Sequence, residues 1–283
     1  MAGRDAVSPT SRRVLSATSA TLDRHGVDHA LVALHGFSDA PGCLHPFLTA
    51  LGVADAVTPA LVAHDGRPMP ADVPFTDEVL VADAREAVAD TAHSRGAPVV
   101  LMGHSLGAST AAGVAATAPH LVCALVLEDP PWQPPVSPDG TSDADRAAES
   151  ENGHRPWLVG LAGTDDEGRR GWIREHHACW PDDEWAPWAR AKPAVDLRLF
   201  DAPQRWLRRR WRDVATRVSC PTLLLVGEAD RDTACAPEVS RELAELPGWT
   251  VGVVPGAGHN VRRDQRDLTV AGVTGFLRRS LLH

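Results

Sequence analysis

The feature that most constrains this chain is a serine between two glycines, in the run Gly103–Gly107 (GHSLG). An apolar run, 98–102, precedes it, and a run of small helix-forming residues, 108–118, follows it. A strand, a sharp turn and a helix in this order hold the serine in a sparsely populated backbone conformation, and the flanking glycines let neighbouring backbone approach closely. The pattern predicts that Ser105 is a nucleophile presented at the edge of a sheet.

Apolar segments alternate with helix-forming segments along most of the sequence. In the segment 77–93 the apolar residues recur at helical spacing, whereas the shorter apolar runs have the length of strands. Nearly continuous apolar strands that alternate with helices form a parallel sheet covered on both faces. We therefore predict an α/β fold, with strands at 13–20, 30–34, 53–61, 98–102, 121–127, 222–226 and 250–254 and helices at 77–93, 108–118 and 262–282.

The alternation stops after Asp129, and residues 132–212 have a different composition. This segment is rich in proline and charge, and it holds eight of the nine tryptophans of the chain. Its first part, 137–152, is polar enough to form a mobile loop, and the remainder has an amphipathic helical pattern. We predict a helical cap at 132–212, inserted into a core formed by 1–131 and 213–283.

Composition narrows the class of protein. The chain has 283 residues, of which 43% are hydrophobic, enough for one large domain with a sizeable core. A net charge of −9 argues against nucleic acid as a partner, because phosphate backbones are bound by basic surfaces. The five cysteines are scattered, and no apolar stretch has the character of a signal peptide or a membrane span. These features predict a cytoplasmic protein with free thiols, no metal, no cofactor and no membrane contact.

A serine needs a base to accept its proton, and a carboxylate must orient that base. His259 follows the last predicted strand in a glycine-rich loop, and Asp230 follows the strand before it. The carboxyl ends of parallel strands meet at one edge of a sheet, where Ser105 is also expected. The sequence therefore predicts a triad of Ser105, Asp230 and His259.

The carboxylate is the least determined member of this triad. Glu128 and Asp129 directly follow the predicted strand 121–127, which comes after the helix that follows Ser105. Either of them therefore reaches the same edge of the sheet. Asp232 is a third alternative. Position along the chain favours Asp230, and Glu128 and Asp129 otherwise form a hinge before the two prolines that follow them.

A developing oxyanion needs preorganised hydrogen-bond donors. The backbone N–H of Leu106, directly after the serine, is one expected donor. The loop after the predicted strand 30–34 is expected to supply the other, most simply the N–H of Phe37. His35 and Gly36 of this loop are predicted substrate-binding residues, and we expect the imidazole of His35 to brace the loop rather than to transfer protons.

The tryptophans of the predicted cap point to an apolar substrate. Aromatic side chains in a cap wall an apolar pocket or form the core of the cap itself. Trp132 lies nearest to a strand end and is the tryptophan that we expect to face the site. The predicted ligand is a hydrophobic small molecule.

Together these motifs resemble the α/β-hydrolase superfamily of capped serine hydrolases. The matching stretches are 35–37 (HGF), 103–107 (GHSLG), 227–230 (GEAD) and 256–259 (GAGH). The resemblance covers residues 13–131 and 213–283, and it extends to the cap only in position and length. It implies an α/β-hydrolase fold, with a mostly parallel sheet of the eight-stranded type, helices on both faces and an inserted helical cap.

The predicted reaction is hydrolysis of a carboxylic ester or a lactone through an acyl-enzyme on Ser105. Members of the superfamily that attack with aspartate are excluded by the serine at this position. C–C bond hydrolysis, biosynthetic acyl transfer or cyclisation, and non-catalytic binding of a small molecule stay open, because the fold does not name a substrate. Nothing in the sequence indicates the oligomeric state.

Overall fold

A computed structural model describes residues 29–53, 55–70, 73–134, 154–201 and 211–281. In these residues the sheet has five strands, all parallel, which lie side by side in their order along the chain. They are β1 (Leu31–Leu34), β2 (Val99–His104), β3 (Val122–Glu128), β4 (Thr222–Val226) and β5 (Trp249–Val253).

Helices connect and cover these strands. The described helices are α1 (His45–Ala50), α2 (Asp77–Arg95), α3 (Leu106–Thr117), α4 (residues 154–162), α5 (Asp166–His176), α6 (Asp182–Ala191), α7 (Trp211–Ala215), α8 (Pro237–Leu243), α9 (Val261–Asp264) and α10 (Arg266–Leu281). Short 3₁₀ turns at Pro41–Cys43, Pro119–Leu121, Lys192–Ala194 and Leu197–Phe200 supplement them. None of the helices in the described ranges is long and apolar enough to cross a membrane.

Strands β1 to β4 are buried on both faces of the sheet, whereas β5 at its edge is partly exposed. Successive side chains of a strand point to opposite sides of the sheet. In β2, Val99 and Leu101 belong to a cluster with α2, α3, α7 and α8, whereas Val100 and Met102 belong to a cluster with α1 and α10. The helices therefore cover both faces of a parallel sheet, as the uninterrupted apolar character of the strands predicts.

Some predicted elements differ in the structure. Only Val57 of the predicted strand 53–61 pairs with the sheet, in an isolated bridge to Val32. Pro59 has no N–H to continue a ladder there. The closing helix is interrupted at Gln265, which separates α9 from α10. The predicted strand 13–20 and the polar segment 137–152 lie outside the described residues.

The order of the strands creates a crevice between β1 and β2. The segment after β1 pairs at Val57 on the side of β1 that faces away from β2. The segment after β2 leads to β3, on the side of β2 that faces away from β1. Loops that leave neighbouring strands in opposite directions open a crevice at the carboxyl edge, where open α/β sheets bind their ligands. Residues 35–39 follow β1 and Ser105 follows β2, so both lie at this point.

The helices α4, α5 and α6 pack together around aromatic side chains. Their cluster contains Leu161, Ile173, Trp180, Trp188 and Ala189, with Trp157, Trp172 and Trp185 packed against it. We refer to residues 154–200 as the cap segment. These tryptophans form the core of the cap segment, which is one of the two roles that the sequence left open. The exact limits of the cap, 132 and 212, stay predictions.

Candidate active site

Ser105 lies in a strained turn between β2 and α3. Its φ of 53° and ψ of −118° are rarely adopted by residues with a side chain, and its N–H donates to the carbonyl of Glu128 at 2.8 Å. A Cβ on Gly103 would collide with the carbonyl of Gly107, and one on Gly107 would collide with the carbonyl of His35. Gly103 therefore lets β2 pack closely against the start of α3, and Gly107 lets α3 pack closely against the end of β1.

Ser105, His259 and Asp129 form a continuous chain of hydrogen bonds. The hydroxyl of Ser105 lies 3.1 Å from Nε2 of His259, and Nδ1 of His259 lies 2.6 Å from Oδ2 of Asp129. A carboxylate next to Nδ1 can only accept, so this nitrogen carries the proton and Nε2 is free to accept from the serine. The arrangement matches the geometry that activates a serine nucleophile.

The carboxylate of Asp129 is fully buried and is held by the segment that follows β4. Its oxygens accept from the hydroxyl of Thr233 at 2.6 Å and from the N–H groups of Ala234 and Cys235 at 2.7 and 3.1 Å. Its own N–H donates to the carbonyl of Leu225 at 2.9 Å. These donors fix the carboxylate in one orientation toward His259.

The pKa of His259 is raised by its carboxylate partners. Burial is the largest single influence and lowers this pKa, but the hydrogen bond and the charge of Asp129, with smaller contributions from Glu128 and Asp232, outweigh it. The side chain is 29% exposed, so the imidazole is reachable by water. A base with these properties accepts a proton readily and can exchange it with solvent or substrate.

The predicted partner of His259, Asp230, does not lie beside it in this structure. Asp230 is exposed, as is Asp232. The loop after β4 instead continues past them and places Thr233–Cys235 against Asp129. The carboxylate that pairs with His259 is thus Asp129, one of the alternatives at the end of β3. The end of β3 lies directly next to the end of β2, which Ser105 follows.

Glu128, the other alternative, faces away from the base and into the protein. It is fully buried, and its oxygens accept from the backbone N–H and the guanidinium of Arg262, both at 2.8 Å. Burial raises the pKa of this carboxyl group, and Arg262 partly offsets the increase. Adjacent residues at the end of β3 thus point to opposite sides, one to His259 and the other to α9.

Two buried histidines brace the turn that follows β1. His35 accepts from the N–H of Leu61 at 3.1 Å and contacts the carbonyl of Gly36 at 2.9 Å. His64 accepts from the N–H of Ser38 at 3.1 Å. Burial lowers the pKa of His35 and brings that of His64 to about 3, so both are neutral acceptors. The bracing role predicted for His35 agrees with these contacts. The predicted substrate contact of His35 and Gly36 does not, because both residues are buried.

His64 was not identified from the sequence, although a histidine at the end of the apolar run 61–63 is a signal for a buried polar contact. Phe37 lies in the braced turn and is half-buried. Its ring contacts those of His154 and Phe200 from the cap segment, with centroids 5.4 and 5.8 Å away.

His104 lies under the base rather than at the reacting atoms. Its Nε2 donates to the backbone carbonyl of His259 at 3.2 Å, and the two rings are 5.0 Å apart. Its Nδ1 would lie 2.6 Å from a Cβ on Gly36, so glycine is needed at that position of the turn. Burial, together with Arg262, holds the pKa of His104 well below its usual value, which keeps this support neutral.

A cluster of buried charges lies behind the triad, and sequence reasoning did not identify it. Its members come from the turn after β1, the end of β3, the cap segment and α9: Asp39, Glu128, Glu184, Lys192, Arg262 and Arg263. Burial alone would raise the pKa of Asp39, but the charges of Arg263, Lys192 and Arg262 hold it well below its usual range. The adjacent arginines just after His259 were the signal in the sequence.

Trp132 does not line the site as predicted. It is 3% exposed, its ring stacks on that of Trp211 with centroids 6.4 Å apart, and the ring of Trp249 lies tilted to it with centroids 6.3 Å apart. This burial leaves too little of the side chain exposed to form the wall of a pocket. The turn at Pro130 and Pro131 directs Trp132 into the core, where it packs beneath the segment that holds Asp129.

The chain belongs to the alpha/beta hydrolase family, whose model matches residues 31–272. Members of this family are generally hydrolytic enzymes. No curated protein sequence matches the chain.

Solved structures of this fold are similar over nearly the whole chain. The structure of E-2-(acetamidomethylene)succinate hydrolase has a TM-score of 0.71 at 19% identity, covering 88% of this chain and 91% of its own. MenH from S. aureus has a TM-score of 0.67 at 16% identity, with coverage of 91% and 96%. A malate-bound thermophilic esterase from Thermogutta terrifontis has a TM-score of 0.64 at 20% identity, with coverage of 96% and 100%. At these identities the similarity concerns the fold.

Proposed function

We propose that this protein is a serine hydrolase that cleaves a carboxylic ester or a lactone of a hydrophobic small molecule. The observation that carries the proposal is the hydrogen-bonded chain from Ser105 through His259 to the buried carboxylate of Asp129. This arrangement activates a serine for attack on a carbonyl carbon and needs neither metal nor cofactor.

In the first half of the reaction, Nε2 of His259 takes the proton of Ser105 as Oγ bonds to the carbonyl carbon. The carbonyl oxygen becomes an oxyanion, for which the N–H of Leu106 is a donor, since the first amides of a helix have no intrahelical acceptor. The N–H of Phe37 is the second donor. The ester C–O bond then breaks, and His259 gives the proton to the leaving alkoxide.

In the second half, water attacks the acyl-enzyme. His259 takes a proton from the water, the oxyanion forms again, and the bond between the acyl group and Ser105 breaks as the serine regains its proton. The partial exposure of His259 favours water as the acceptor of the acyl group, which supports hydrolysis over acyl transfer to another molecule.

The apolar character of the substrate is inferred from rings beside residues 35–39, the turn after β1 that contains Phe37 and that we call the oxyanion turn. Phe37, His154, Trp157 and Phe200 are all half-buried, and they contact one another in series. These residues replace Trp132 as the proposed substrate contacts. Half-buried aromatic side chains next to a nucleophile favour an apolar acyl or alcohol group.

The decisive experiment combines active-site labelling with turnover. We expect a fluorophosphonate to label Ser105, detected by mass spectrometry of the peptide, and p-nitrophenyl esters of two to eight carbons to be hydrolysed. Ser105→Ala is the matched control and is expected to lose both. Labelling without turnover of any ester or lactone would favour a ligand receptor, and absence of labelling would reject the proposed site.

A further inference from the structure

Lys192, the only lysine of the chain, is buried between the cap segment and the turn after β1. Its ammonium donates to the carbonyl and the hydroxyl of Ser38 at 2.9 and 3.0 Å and to Oδ1 of Asp39 at 3.2 Å. An ammonium has three N–H donors, so each of them has an acceptor. The side chain is 1% exposed, and these contacts reach from the cap segment to the residues directly after Phe37.

Charge pairing alone does not account for a lysine at this position. Asp39 also accepts from Arg263 at 2.9 Å and from Arg262 at 3.3 Å, so its charge has partners without Lys192. Burying an ammonium carries a large desolvation cost, and an apolar residue of similar volume often stabilises a protein as well or better. The rings of Trp188 and Trp157, with centroids 4.3 and 5.6 Å from Nζ, offset only part of that cost.

The contacts of Lys192 act on a backbone conformation that needs support. Ser38 has a φ of 60°, in the left-handed region that a residue with a side chain rarely adopts. Its N–H is held by His64 from one side, and its carbonyl is held by Lys192 from the other. The carbonyl that Lys192 holds belongs to the Ser38–Asp39 peptide, whose N–H donates to the carbonyl of Gly36 at 3.2 Å. The carbonyl of Gly36 and the N–H of Phe37 lie in one peptide plane, so this contact supports the direction of that N–H.

We propose that Lys192 is a positioning residue, which sets the oxyanion turn from the cap segment and thereby couples the placement of the cap to catalysis. The inference rests on the proposed function, since it concerns the donor of Phe37 in the same reaction. Lys192 touches neither the substrate nor the reacting atoms. Loss of its contacts is expected to allow the Ser38–Asp39 peptide to rotate, which loosens the hydrogen bond to the Gly36 carbonyl and with it the N–H of Phe37. This weakens transition-state stabilisation and leaves ground-state binding almost unchanged.

The test compares Lys192→Met with Asp183→Asn. Methionine has a similar length without the charge, and Asp39 keeps its two arginines in this variant. Asp183 forms another ion pair between cap and core, with Arg266 at 2.6 Å, and within the described ranges it makes no hydrogen bond to the oxyanion turn. The matched pair thus separates attachment of the cap from support of the turn.

For Lys192→Met we expect the rate constant of Ser105 labelling by a fluorophosphonate to fall about 10- to 100-fold, approaching the loss of one oxyanion donor. With p-nitrophenyl butyrate, kcat should fall by the same factor, while KM stays within about threefold. Asp183→Asn should label and turn over within about twofold of the wild type. A purely structural role of Lys192 would lower the unfolding temperature without this separation of kcat from KM.

Ser38→Ala decides the case if Lys192→Met does not fold. It removes one of the two Ser38 acceptors and keeps the lysine, and labelling is expected to slow about two- to tenfold. Wild-type labelling and turnover in Lys192→Met overturn the positioning role and leave the proposed function intact. If Lys192→Met does not fold, wild-type rates in Ser38→Ala have the same meaning. Equal slowing in Asp183→Asn also overturns it, because attachment of the cap would then be the cause. A wild-type protein that is not labelled overturns both proposals.

Discussion

The two halves of the candidate site are built in different ways. The triad half is positioned by strand ends and backbone: Ser105 by its strained turn, His259 by the loop after β5, and Asp129 by N–H groups and a hydroxyl from the following segment. The oxyanion half is positioned by side chains from distant segments, His64 and Lys192. Nucleophile and base are therefore visible as local motifs, whereas the oxyanion turn depends on contacts far apart in the sequence.

The largest expected effect tests which carboxylate completes the triad half. Asp129→Asn should lower kcat by about 10⁴-fold, because an amide at this position no longer enforces the productive tautomer of His259. Asp230→Asn is the matched control and should remain within about twofold of the wild type, since exposed substitutions have small effects. Steady-state kinetics with p-nitrophenyl butyrate measure both. A large loss in Asp230→Asn with little loss in Asp129→Asn would place the acid after β4.

A smaller effect is expected from the oxyanion half. His64→Leu leaves the buried N–H of Ser38 without its acceptor, at a cost of about 1–3 kcal/mol in the free energy of unfolding. We expect kcat to fall about tenfold to 100-fold, less than for full loss of an oxyanion donor. Thermal unfolding and ester turnover measure the two effects, and His120→Leu, at an exposed histidine, is the control. Unchanged turnover in His64→Leu would show that the oxyanion turn keeps its conformation without the hydrogen bond to His64.

The smallest effect concerns pH and separates the halves by titration. Activity requires neutral His259, whose pKa is raised, so kcat/KM should increase with pH through one ionisation above the usual value of about 6.5. The stabilisation of the fold by the His259–Asp129 pair has the opposite pH dependence. It is complete below about pH 6.5 and is lost as pH rises through the raised pKa of His259.

The oxyanion half should add no second ionisation to this profile. Burial lowers the pKa of His64 to about 3 and that of His35 below its usual value, so both stay neutral where His259 titrates. The profile of kcat/KM against pH for the wild type and for His64→Leu should have the same midpoint at different amplitudes. A slope of two in the plot of log kcat/KM against pH, which indicates the loss of two protons, would contradict this separation. So would a shift of the midpoint in His64→Leu.

The fold and the strained turn at Ser105 could be predicted from the sequence because both have short-range signatures. Apolar strands, the glycines around Ser105 and the loop of His259 each occupy a few consecutive residues, and the alternation of strands and helices fixes where their ends meet. The family match agrees with the fold predicted in this way.

Other features depend on which side chains meet in space. Asp230 and Asp129 both follow strands, and only the packing of Thr233–Cys235 against the end of β3 distinguishes them. Trp132 follows a strand end, yet the turn before it directs the ring into the core. The charge cluster joins segments more than 200 residues apart, such as Asp39 and Arg263, and no pattern within one segment predicts their contact.

A chain with a single, buried lysine also has an analytical use. An amine-acylating reagent can modify the side chain of Lys192 only in molecules where the cap segment has opened locally from the core, since the closed form encloses that amine. The rate at which the peptide containing this residue gains mass therefore reports how often the amine becomes accessible, without any knowledge of the substrate. Repeating the measurement in the presence of candidate compounds would identify those that keep the protein closed.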